Sequence, residues 1–101
     1  MILQEALITI TGRVQGVGYR AWAQHQAVKM GVCGYVKNTP DDAVEILAQA
    51  DEKTLKEFIA KCKEGPATGK VEKVKVEKRE ITQKYAGFAM KQSEGFAYFA
   101  E

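Results

Sequence analysis

The sequence predicts one α+β domain with two helices packed on one face of an antiparallel sheet. Three observations support this. Several segments alternate apolar and polar residues with a period of two, two others repeat apolar residues at helical spacing, and together they run in the order β, α, β, β, α, β. The chain has 101 residues, 46% of them hydrophobic. Dividing that length in two would leave each half with too little core, so a single unit is expected.

The first strand is read from EALITITGR, residues 5 to 13, where Ala6, Ile8 and Ile10 alternate with Leu7, Thr9 and Thr11. A glycine-rich loop follows. Tyr19, Ala23, Ala27 and Met30 then recur at helical spacing, and Gly31 stops that helix. GYVKN, residues 34 to 38, is strand-like, TPDD supplies turn chemistry, and Val44, Ile46 and Ala48 alternate inward on the returning strand, giving a hairpin. Asp51 can cap a second helix with the stripe Leu55, Phe58, Ile59 and Cys62, which Gly65 and Pro66 end. In VEKVKVEKREI, Val74 and Val76 share a side while lysines discourage edge pairing, and Val71 falls out of register. Tyr85, Phe88 and Met90 suggest a last short strand. The arrangement is a ferredoxin-like α/β sandwich (βαββαβ), formed by residues 1 to 91. Residues 92 to 101 form an aromatic tail of open role.

Composition narrows the function. Lys plus Arg number 15 and Asp plus Glu 13, so a net charge of +2 gives weak attraction to polyanions, and any anion preference must come from a local site. No apolar run is long enough to span a bilayer, and residues 1 to 11 lack a signal peptide's basic start and long apolar centre, so a cytoplasmic location without membrane contact is expected. Cys33 and Cys62 lack metal-ligand spacing and are too few for a disulfide framework. His25 is the only histidine and Ser93 the only serine, which leaves little material for a nucleophilic triad.

The loop GRVQGVGYR, residues 12 to 20, is the strongest candidate site. Gly16 and Gly18 permit backbone angles that let successive N–H groups turn inward as an anion nest. The nest feeds a helix N-terminus with its partial positive charge. Arg20 at that terminus is mildly repulsive unless an anion sits between them, and a guanidinium fork matches phosphate oxygens. From spacing alone, a plain strand-to-helix turn with a solvated arginine is equally open, since the pattern is neither a Walker loop nor GxGxxG. Asn38, just before Thr-Pro-Asp, reads from its position first as a turn residue.

GRVQGVGYR followed by GVCGYVKNTPDDAVEI resembles the two-part signature of the acylphosphatases, a phosphate loop ending in Arg and then G-x-V-x-N. GPATGKVEKVKV also fits, and the resemblance covers residues 5 to 90. It implies hydrolysis of carboxyl-phosphate anhydrides to carboxylate and inorganic phosphate, without metal or cofactor. The implied phosphate-binding residues are Gln15, Gly16, Val17, Gly18, Tyr19 and Arg20, with Arg20 the catalytic cation and Asn38 positioning the attacking water. A carboxylate is a good leaving group and the bound phosphate can take the water proton, so no strong side-chain base is required. The implied partner is a small acyl phosphate, and a monomer is expected.

Two features depart from the family pattern. Asp42 stands where Gly is usual, which asks an aspartate to hold a left-handed turn, and the tail with Phe96, Tyr98 and Phe99 extends past the last strand. Two other functions compete: an accessory domain that binds phosphate or carbamoyl phosphate without hydrolysis, and a ferredoxin-like RNA-binding module. The second needs paired aromatics on central strands, and the inferred central strands show none, so no nucleic-acid partner is expected.

Overall fold

The computed structural model describes residues 2–91. Its elements are β1 (Gln4–Arg13), α1 (Tyr19–Met30), β2 (Cys33–Asn38), β3 (Val44–Ala50), α2 (Glu52–Glu64), β4 (Lys70–Arg79) and β5 (Phe88–Met90). The strands form one sheet in the order β4-β1-β3-β2-β5. Four of them pair antiparallel, as expected. The short last strand instead runs parallel to β2, so the sheet is mixed.

The alternation sorts the two faces of the sheet. Ala6, Ile8 and Ile10 of β1 and Val44, Ile46 and Ala48 of β3 are fully buried against Tyr19, Ala23 and Ala27 of α1 and Leu55, Phe58 and Cys62 of α2. Asp51 accepts a hydrogen bond from the Thr54 amide and caps α2, while Gly31 takes a left-handed angle at the end of α1. Val71 leaves the register of Val74 and Val76 because β4 carries a bulge: Thr11 pairs with Lys73 but Gly12 pairs with Val71.

The far face is not simply solvated. Leu47 and Gln49 of β3 are buried too, because the chain from β4 to β5 crosses over that side. Gln49 pins the crossing: its Nε2 donates to Gln83 O and to Glu5 Oε1, each at 2.7 Å, and its Oε1 accepts from the Tyr85 amide at 3.1 Å. Tyr85 therefore lies in the crossing rather than in the last strand, its ring 6.0 Å from that of Tyr35. The crossing begins beside Arg79, which pairs with Glu5 at the start of β1, and ends beside Gly34, near the start of β2. β5 consequently runs toward the end of the sheet where β1 and β2 finish. That end carries the glycine loop and Asn38. The tail, residues 92 to 101, lies outside the described residues.

Candidate active site

The loop between β1 and α1 is shaped by two left-handed glycines, Gly16 at φ 74° and Gly18 at φ 81°. A Cβ at either would meet no heavy atom within 4 Å, so backbone angle and not space demands glycine there. Gly18 is the N-cap of α1, no side chain among the described residues caps the helix, and its first turn holds no acidic residue. Within the helix, Trp22 N–H bonds Gly18 O at 3.0 Å. The N–H groups before it have no intrahelical acceptor, which leaves the positive end of the helix dipole uncompensated at the loop.

Four ties hold this loop and helix in place. Gln15 Nε2 donates to the carbonyls of Thr39 and Ala43 in the β2–β3 turn, at 3.0 and 2.8 Å. Thr68 Oγ1 donates to Val17 O at 2.7 Å. Tyr19 OH donates to Cys62 O at 2.8 Å, and its buried ring packs against Trp22 with centroids 5.3 Å apart. Gln24 Nε2 donates to Phe88 O at 3.0 Å, joining α1 to β5. Burial holds the Tyr19 phenol far above its usual pKa and pushes the Cys62 thiol up to about 12, so both stay neutral. Tyr19 contributes its main chain to the loop and its side chain to the core.

Arg20 is half-buried, with Nη1 donating to Lys91 O at 2.8 Å just past β5. Asn38 closes β2, pairing with Val44 across the hairpin. The turn beyond it holds Asp42 at φ 68°, so the aspartate takes the left-handed angle that glycine usually supplies. Thr39 N–H bonds Ala43 O at 2.9 Å, and the Ala43 amide bonds the Thr39 hydroxyl at 3.1 Å. Asn38 Oδ1 is buried and has no hydrogen-bond partner among the described residues. An orphan acceptor of this kind costs about 1–3 kcal/mol, so its position calls for an explanation.

These groups converge on one pocket of about 280 Å³. Its wall combines Gly16, Gly18, Tyr19, Arg20 and Asn38 with the apolar Val14, Ala21 and Met90. Of the residues predicted for the site, Gln15 and Val17 belong to the loop but not to this wall, and the Gln15 side chain turns to the hairpin instead. Val14, Met90 and the Lys91 carbonyl were not anticipated. A larger cleft of about 480 Å³, lined by residues such as Glu5, Lys78 and Arg79, lies at the opposite end of β1, away from the loop. His25 is exposed on α1, and no group of three or more His, Cys, Asp or Glu among the described residues could hold a metal ion. The central strands β1 and β3 carry no aromatic residue, so the stacking platform of an RNA-binding module is missing. No helix among the described residues is long and apolar enough to cross a membrane.

Known proteins share both the sequence pattern and the fold. The family described as acylphosphatase matches residues 6–90. An acylphosphatase from Rhodopseudomonas palustris is 47% identical over 70 residues, covering 69% of this chain and 71% of that protein. Among solved structures, an acylphosphatase from Bacillus subtilis superposes with a TM-score of 0.81 at 37% identity, covering 88% of this chain and 98% of that one. Full-length HypF, solved in a phosphate- and nucleotide-bound form, superposes at 0.83 with 29% identity, and the match spans 93% of this chain but only 13% of that one.

Proposed function

The chain belongs to the acylphosphatase family and hydrolyses acyl phosphates, and from that premise we propose how its residues divide the work. The main-chain N–H groups of residues 15–20 and the Arg20 guanidinium hold the phosphoryl oxygens. Asn38 orients the attacking water. One juxtaposition carries this reading: an arginine, a helix N-terminus and an asparagine whose buried oxygen has no partner among the described residues line one small pocket.

The chemistry follows from those groups. Acyl phosphates bring a dianionic phosphoryl group, and the loop amides, the helix dipole and the guanidinium are all positive toward it. The Lys91 carbonyl occupies one Arg20 N–H and fixes the fork, leaving other donors for phosphate. The Asn38 side-chain amide hydrogen-bonds the water, turning an oxygen lone pair toward phosphorus. As the water oxygen bonds to phosphorus, the bond from phosphorus to the acyl oxygen breaks and the carboxylate leaves with the electron pair. A phosphoryl oxygen takes the water proton. No protein base is needed, in keeping with a pocket wall whose described residues include no His, Asp or Glu.

The same reading makes the protein a metal-independent monomer of the cytoplasm. Benzoyl phosphate hydrolysis in excess EDTA tests it, with p-nitrophenyl phosphate as a monoester control. The anhydride should be cleaved far above its spontaneous rate, unchanged by EDTA, and the monoester barely at all. A rate that EDTA abolishes, or equal cleavage of the monoester, would contradict it.

A further inference from the structure

We propose that Gln15 is a positioning residue that acts through its side chain, fixing Asn38 at the correct distance from the phosphate loop. The proposal rests on the reading of Asn38 as the group that orients water. Gln15 directly follows Val14, which is 1% exposed, so its backbone is anchored at the base of the loop. Its amide reaches across to a turn more than twenty residues away, with one N–H for each of two carbonyls, Thr39 O at 3.0 Å and Ala43 O at 2.8 Å. Both donors of the primary amide are thereby used.

The two acceptors are not arbitrary points on the turn. Thr39 follows Asn38, and Ala43 precedes Val44, the ladder partner of Asn38. Gln15 therefore grips both strands at the position where the hairpin closes, one residue from Asn38 on one strand and one from its partner on the other. It joins the wall that carries the amides to the wall that carries the water-orienting group. The turn it grips contains the left-handed Asp42 and exposes Asp41 and Asp42 to solvent. An anchor here sets the distance between phosphorus and nucleophile, and a misplacement of about 1 Å can cost up to about a hundredfold in rate. Main-chain amides hold phosphate, so the side chain of Gln15 is free for this task.

The test is a double-mutant cycle. Gln15→Met keeps the length of the side chain and removes both donors, and Gln15→Asn keeps the donors but falls one methylene short. Each is made in the natural chain and in Asn38→Ala. Turnover of benzoyl phosphate, the inhibition constant of inorganic phosphate and the melting temperature are measured for all of them. Both single variants should lose about tenfold in kcat with phosphate inhibition within about twofold, and neither should lose more when Asn38 is already alanine. An equal fall in kcat in both backgrounds, or a parallel loss of phosphate affinity, would overturn the proposal and reduce Gln15 to a support of the loop. If Asn38→Ala alone turns over like the natural chain, the reading of Asn38 fails first and this proposal falls with it. A lowered melting temperature in every background would not produce a kcat effect confined to one of them. Using two variants keeps the test decisive if either folds poorly.

Discussion

Arg20→Ala is expected to lower turnover of benzoyl phosphate by about 10²–10³-fold, equivalent to roughly 3–4 kcal/mol of transition-state stabilisation. The guanidinium sits in the pocket wall beside Gly16 and Gly18 and is held by the Lys91 carbonyl at 2.8 Å. It is therefore preorganised before substrate arrives. On the proposed reading, negative charge on the phosphoryl oxygens would meet a fixed positive group, and the first turn of α1 contains no acid to neutralise it. Phosphate inhibition should weaken in the same variant, because an arginine that clamps the phosphoryl group would hold bound phosphate as well. Arg20→Lys should recover only part of the loss, since an ammonium cannot both hold the Lys91 carbonyl and present a fork to phosphate. Near-normal kcat in Arg20→Ala, measured by steady-state hydrolysis, would remove the arginine from the mechanism.

Asn38→Ala is expected to give a different pattern. Turnover should fall by about a hundredfold while the inhibition constant of inorganic phosphate stays close to that of the natural chain, because the loop and Arg20 remain intact. Stability should not fall with activity. Asn38 Oδ1 has no hydrogen-bond partner among the described residues, so deleting it breaks no protein hydrogen bond at that atom. A variant that loses turnover yet melts no lower than the natural chain is the behaviour of a group kept for chemistry. Equal loss of phosphate binding and turnover would contradict the separation of roles.

Much of this fold was legible because local signals and burial agree. Asp51, Gly31 and Gly65 mark helix ends by capping chemistry that operates within a few residues, and the Leu55, Phe58 and Cys62 stripe has one dry face. Val71 was legible as an irregularity but not as a bulge, since a bulge is defined by the partner strand. The direction of β5 was not legible. Three residues carry too little pattern, and the strand's place is set by Gln49 gripping Gln83 and Tyr85, more than thirty residues away. The burial of Gln49 itself arises only because that crossing covers it.

The site divides in the same way. Gly16, Gly18 and Arg20 gave a nest at a helix start, but spacing could not separate an anion site from a turn. Asn38 pointed to chemistry only through the resemblance to acylphosphatases. The wall now joins Arg20 and Asn38 across 18 positions of sequence. The Gln15 bridge and the Lys91 grip on Arg20 left no mark in the sequence, because their acceptors are main-chain carbonyls that every residue possesses.

The central claim is that the phosphoryl group sits in the loop and is attacked at phosphorus by a water that Asn38 directs. Hydrolysis of benzoyl phosphate in water labelled with heavy oxygen, followed by mass spectrometry of both products, tests this most directly. The label is expected in inorganic phosphate and absent from benzoate, because the bond from phosphorus to the acyl oxygen is the one that breaks. Label in benzoate would mean attack at the carbonyl carbon, and neither Arg20 as the phosphoryl clamp nor Asn38 as the guide of the water would then stand.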